Sequence, residues 1–250
     1  MFEKKDILNR QPFIDKILSI LDTLSKEKRG ISFAIDGDWG SGKTFVLEQL
    51  ERQLEPIQSE ETADDRYLLF HYNCWQYDYY DEPAVAIISA MLEKVYSMNN
   101  SELGKIAKAS WSMVKDKLIS IGNEFVKNKI GIDVVETISN FQNELDEQAL
   151  DNSPFDKWFS FKKTIDSTRE THQDIASEKT IVIVDDELDR CLPNYSIKVL
   201  ERLHHIFDGI DNVILIFAID VHQLQQTVKN IFGNEDDIAV DRYLSKFISF

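Results

Sequence analysis

Two short runs concentrate the residues able to do chemistry: Gly37-Asp38-Trp39-Gly40-Ser41-Gly42-Lys43-Thr44, and Asp185-Asp186-Glu187-Leu188-Asp189-Arg190. The first fits the pattern G-x-x-x-x-G-K-[ST] in full. A phosphate chain is wrapped by backbone N–H groups, and glycine allows both the close approach and the positive φ that wrapping requires. Lys43 then meets the charge of the β- and γ-phosphates, and the Thr44 hydroxyl ligates Mg²⁺. A helix beginning at Ser41 or Gly42 adds its positive end. The predicted nucleotide-contacting residues are Gly37, Asp38, Trp39, Gly40, Ser41, Gly42, Lys43, Thr44 and, directly after the loop, Phe45.

The second run supplies carboxylates. One is needed to hold Mg²⁺ and, where the nucleotide is hydrolysed, another to polarise the attacking water; both belong at the end of a neighbouring parallel strand. Asp185, Asp186 and Glu187 follow the apolar run Ile181 to Val184. Side chains alternate between the faces of a strand, so adjacent carboxylates cannot all reach one metal. Spacing leaves two registers open: Asp185 for metal with Asp186 as base, or Asp186 for metal with Glu187 as base. Asp189 and Arg190 lie just beyond, either as a local ion pair or with Arg190 near the phosphates of its own or a neighbouring subunit.

The elements that must position these groups are legible in the hydrophobic pattern. Apolar residues at helical spacing between Phe2 and Leu24 (Ile14, Ile17, Leu18, Leu21) predict a helix that leads into the strand Ile31 to Asp36. The loop follows that strand directly, and FVLEQLERQLEP reads as a helix ended by Pro56. Further strands are predicted at Tyr67 to Asn73, at Ile181 to Val184 and at Asn212 to Asp220, with helices over Ala84 to Tyr96, through YSIKVLERLHHIFDG and from about His222. This alternation predicts an α/β fold, a parallel sheet with helices on both faces. The closing KFISF reads as a candidate fifth strand.

Between Tyr96 and the third strand lies a helical insertion. Leu103, Ala107, Trp111, Val114, Leu118, Ile121 and Phe125 make one amphipathic helix, and Val135, Ile138, Phe141 and Leu145 a weaker second. The stretch from Ser101 to Ile130 carries Lys105, Lys108, Lys115, Lys117, Lys127 and Lys129 against Glu102, Asp116 and Glu124. That face suits packing on neighbours with solvated lysines, or a membrane surface. The resulting division is 1–96 for the first half of the core, 97–177 for the insertion and 178–250 for the second half.

The 250 residues, 43% of them hydrophobic, can bury a sizeable core, and a formal charge of −16 opposes generic nucleic-acid binding. No apolar window reaches membrane-span length, so a cytoplasmic protein is expected. Cys74 and Cys191 lie far apart in sequence and fit no metal spacing, which predicts reduced thiols. His204 and His205 are adjacent on a helix and point in different directions, so a surface pair is expected rather than a metal site. Trp75, Tyr77, Tyr79 and Tyr80 are expected to brace the strand and insertion rather than to stack on a base.

GDWGSGKT, YNCWQYDYYDEP, DELDRCLPNY, LERLHHIFD and FAID together resemble the KAP family of P-loop NTPases, within the larger group that includes AAA+ and STAND ATPases, and the matches span most of the chain. The resemblance implies ATP and Mg²⁺ as cofactors. Its pattern D-E-L-D-R-C-x-P assigns the magnesium role to Asp186 and the catalytic base to Glu187, with Lys43 and Arg190 as further catalytic residues. Asp185 then stands where the family usually has an apolar residue, which keeps the other register alive. The resemblance also implies adenine contacts near Leu8, Arg10 and Phe13, and a sensor position at Asp220, which is equally suited to capping the next helix. It implies a molecular switch or remodelling motor that self-assembles or acts on a protein partner, with soluble relatives linked to phage defence. A nucleotide-gated scaffold with negligible turnover is the alternative.

Overall fold

Strands β1 (Ile31–Asp36), β2 (Tyr67–Asn73), β3 (Thr180–Asp186) and β4 (Val213–Ile219) form one parallel sheet in the order β1-β4-β3-β2. The computed structural model describes residues 6–54, 66–80, 82–97, 166, 168–170, 172–233 and 237–249. The helices predicted over 103–125 and 135–145 lie outside the described residues. β4 is inserted between β1 and β3, with Ala218 opposite both Ile35 and Asp186, and β2 forms the outer strand, with Asn73 opposite Asp186. At the free edge of β1, Ser249 bridges in parallel to Phe33 and its N–H donates to Ser32 O across 2.9 Å, where the fifth strand is expected.

Helices cover both faces, as the alternating pattern requires. One face carries α1 (Gln11–Lys26) and α2 (Lys43–Leu54); Ile14, Ile17, Leu21, Val46, Leu47 and Leu50 pack there on Val182, Val184, Ile214 and Ile216. The other face carries α3 (Pro83–Ser97), α4 (Pro193–Phe207), α5 (Val221–Phe232) and α6 (Asp237–Leu244), which meet Ile181, Ile183, Leu215 and Phe217. Residues 172–178, just before β3, are also helical. Arg202 clamps α4 to α3 by pairing with Glu82 just ahead of α3, through 2.7 Å and 3.2 Å hydrogen bonds.

The start of α1, the end of β3 and one added helix depart from the sequence reading. Helix α1 starts at Gln11 rather than close to Phe2, because Pro12 suits a first turn and Asp6 Oδ2 accepts the N–H groups of Arg10 (2.7 Å) and Gln11 (3.1 Å). Strand β3 continues through Asp185 and Asp186, since both keep pairing with β2 and β4. Helix α6 has no counterpart in the sequence reading; Val240 and Leu244 anchor it in the core.

Candidate functional site

The turn between β1 and α2 runs through Gly40 (φ 76°) and Gly42 (φ 89°), both in the left-handed region. A Cβ on Gly42 would also meet the Arg10 guanidinium at 3.3 Å, so this position tolerates only glycine well. Arg10 Nη2 donates to the Ser41 carbonyl and so holds the loop from the α1 side. Lys43 Nζ donates to Gly37 O at 2.6 Å and stands 3.7 Å from Asp189 Oδ2. Asp38 and Trp39 are exposed at the loop crest, and Phe45 packs partly buried on the α1/α2 side of the sheet.

Strand periodicity sorts the acidic run. Asp186 shares a face with Val182 and Val184, the face that α2 covers, and the Thr44 hydroxyl donates to Asp186 Oδ2 across 3.0 Å. Burial, as the largest cause, and the charge of Glu187 raise the Asp186 pKa, while the hydrogen bond from Thr44 works the other way. Asp185 shares a face with Ile181 and Ile183, is 1% exposed, and has no hydrogen-bond partner for either carboxylate oxygen. Burial, with Cys191, Asp186 and Asp189 nearby, pushes its pKa well up and favours the neutral acid.

Glu187 breaks the strand with φ 64° and ψ 22°, and the 3₁₀ turn Leu188–Arg190 follows. This left-handed residue re-aims the chain at the strand end, a conformation that costs roughly 1–3 kcal/mol for a non-glycine residue and is concentrated at functional sites. Its carboxylate is held from two sides: Asn73 Nδ2 donates to Oε2 at 3.1 Å, and Arg190 Nη1 lies 2.6 Å from Oε1. Arg190 therefore pairs with Glu187 and not with Asp189, the local partner expected for it. Asp189 does not pair with Arg190; its Oδ2 accepts the Asp220 N–H at 3.0 Å and so links the end of β4 to the Lys43 side of the loop. The Asp220 carboxylate caps α5 by accepting from Gln223 N at 3.1 Å.

The sequence reading passed over Asn73. Its signals were a polar residue closing the apolar strand YLLFHYN and its place in YNCWQYDYYDEP, and its partner is 114 positions away. Tyr77 stacks on Tyr72 of β2 at 5.3 Å and Tyr80 packs on Tyr77, so both brace the strand, while the insertion they were also expected to meet lies outside the described residues; Trp75 and Tyr79 are about half exposed. Leu8 and Phe13 are exposed as well. His204 packs edge-on against Phe247, and the described residues contain no cluster fit to hold a metal through three or more His, Cys, Asp or Glu side chains. No helix among the described residues is long and apolar enough to cross a membrane.

Trp39, Gly40, Ser41, Gly42, Lys43, Thr44, Asp186, Glu187, Asp189 and Arg190 line one cavity of about 140 Å³. A larger one, about 280 Å³, opens at the opposite end of the sheet beside Gly30, Ile31 and Val213. The smaller is the candidate site, because ligands of open parallel sheets bind beyond the carboxyl ends of the strands, and there, among the described residues, a lysine, a hydroxyl and carboxylates converge. A search of curated proteins gives no match. The model of the KAP family P-loop domain matches residues 10–250, nearly the whole chain. With a phosphate-loop turn after β1, β4 inserted between β1 and β3, and an acidic strand end facing the loop, the chain belongs to the KAP family of P-loop NTPases.

Proposed function

We propose that this chain binds ATP with Mg²⁺ and hydrolyses it, coupling turnover to a change of shape that acts on a protein partner or a second copy of itself. The observation that carries the reading is the 3.0 Å hydrogen bond from the Thr44 hydroxyl to Asp186, with Glu187 next in sequence at the mouth of the same cavity. A hydroxyl and a carboxylate are hard oxygen donors of the kind Mg²⁺ takes, and few protein ligands suffice when phosphates complete the sphere. Thr44 and Asp186 are therefore the residues assigned to the metal, which when bound neutralises phosphate charge.

Gly37 to Thr44 receive the phosphates through backbone N–H groups, and Lys43 exchanges its hold on the Gly37 carbonyl for phosphate oxygen. Glu187 takes the proton of the attacking water on a carboxylate oxygen. With one partner on each oxygen, Arg190 at Oε1 and Asn73 at Oε2, Glu187 keeps lone pairs for that proton, and release of Arg190 raises its basicity. Arg190, once released, is free to face developing phosphate charge. The same double engagement favours a second reading, a nucleotide-gated binding module with negligible turnover.

Phosphate release by the purified protein, with Mg²⁺ and with EDTA, separates the two. Magnesium-dependent release that Lys43→Ala abolishes, together with its nucleotide binding, supports hydrolysis; tight Mg-ATP binding without release supports the module. A role in phage defence, which the family resemblance suggests, is tested by phage plating on cells carrying the wild-type or the Lys43→Ala gene.

A further inference from the structure

Cys74 and Cys191 are 117 positions apart in sequence, yet their sulfurs lie 3.1 Å apart, inside van der Waals contact, with the Cys191 thiol donating to Cys74. Both are free and buried. Each directly follows a residue that grips Glu187: Cys74 follows Asn73 at the end of β2, and Cys191 follows Arg190. The Cys191 thiol also lies 3.6 Å from the Glu187 carbonyl oxygen. Two buried thiols can serve simply as small apolar filling. What sets this pair apart is that a bond of about 2.05 Å needs the sulfurs to close by only about 1 Å.

We propose that Cys74 and Cys191 form an oxidisable dithiol, a modification site for two-electron thiol oxidants of the peroxide class, whose closure locks the Glu187 carboxylate between its two partners. Cys191, 8% exposed against 0% for Cys74, is the entry sulfur. Its thiolate attacks one peroxide oxygen; the O–O bond breaks, the sulfur becomes a sulfenic acid, and the departing hydroxide takes a proton and leaves as water. The Cys74 sulfur then attacks the Cys191 sulfur. The S–S bond forms, the S–O bond breaks, and the hydroxide leaves with the Cys74 proton as a second water. Overall, two thiols are oxidised to one disulfide, and hydrogen peroxide is reduced to two waters. Burial raises the pKa of the Cys74 thiol, which keeps it from reacting first.

The covalent tie would join the turn after β2 to the turn after β3, the two segments that carry Asn73 and Arg190, the partners of Glu187. The bridge itself does not depend on the hydrolysis reading; its effect on turnover rests on that reading. The test treats the whole protein with hydrogen peroxide, blocks remaining thiols with N-ethylmaleimide after unfolding, and measures intact mass and the linked tryptic peptide. Expected is a monomeric protein lighter by two hydrogens with no alkylated cysteine, returned to two alkylated cysteines by dithiothreitol. Sulfinic acid, an intermolecular bridge, or two thiols that still alkylate would overturn the site. Cys74→Ala should keep the reduced rate of phosphate release and lose its peroxide sensitivity; if that variant misfolds, the wild-type mass still decides. In the bridged wild-type protein phosphate release should fall at least fivefold and recover on reduction. Bridging with unchanged release would overturn the lock on Glu187. Bridging in a protein that releases no phosphate in either state supports the dithiol site and counts against the hydrolysis reading alone.

Discussion

The Thr44 hydroxyl and the Asp186 carboxylate meet across 3.0 Å although 142 positions separate them, and Asp185, next to Asp186, is turned to the opposite face of the sheet. This pairing distinguishes two carboxylates that are chemically identical. Asp186→Asn should remove magnesium dependence from nucleotide binding and cut turnover at least a hundredfold, because the ligand charge is lost. Asp185→Asn should leave both within about twofold, since the neutral acid it replaces is of the same shape. Magnesium titrations of nucleotide affinity for the two variants check this, and the reverse ranking would return the metal to Asp185.

Glu187→Gln should retain Mg-ATP binding while turnover falls by about 10²–10⁴-fold, the usual scale of a lost general base. Asn73→Ala should lower turnover by about tenfold with unchanged nucleotide affinity, since its amide orients Glu187 and touches nothing in the phosphate loop. Equilibrium binding alongside single-turnover phosphate release reads the two quantities separately. Equal loss of affinity and rate in Asn73→Ala would make it a structural residue only.

His172 carries a pH dependence of known sign. Its ring is fully buried, edge-on to Phe207 at 4.7 Å, and burial lowers its pKa from 6.5 to about 4, despite the opposing hydrogen bond to the Thr168 carbonyl. Above pH 6.5 the ring is neutral in both folded and unfolded chains; as pH falls from 6.5 toward 4, only the unfolded chain takes the proton, so stability falls with pH. Between pH 7 and pH 5 this costs about 2 kcal/mol. Urea midpoints at those two pH values should therefore drop less for His172→Leu than for wild type, and parallel drops would remove His172 as the cause.

Asn212 is a buried junction ahead of β4. With φ 61°, its amide donates to Ala176 O (2.8 Å) and Lys179 O (2.9 Å) and accepts from the Thr180 hydroxyl (2.7 Å). Asn212→Ala should cost about 3 kcal/mol, from unsatisfied buried partners and a left-handed backbone without asparagine's tolerance for it. Asn212→Gly should cost less, because it relieves the backbone and not the partners. Chemical denaturation ranks the three; an alanine variant as stable as wild type would dismiss the junction.

Much of the fold was legible because its signals are local. Each strand core was bracketed within two residues by apolar runs and turn residues, and the glycine turn between β1 and α2 followed from glycine spacing alone. Period-two alternation already required Asp185 and Asp186 to part company. Which of them faces the phosphate loop was not local: it depends on which side of β3 receives α2, and that follows from β4 being inserted between β1 and β3. Asn73 against Glu187 and Cys74 against Cys191 share that origin, since both arise where parallel β2 and β3 end in register, Asn73 opposite Asp186. The sequence by itself determined which chemical groups exist and that they end strands. Only the tertiary structure decided their partners, because backbone pairing between strands more than a hundred residues apart sets which ends lie side by side.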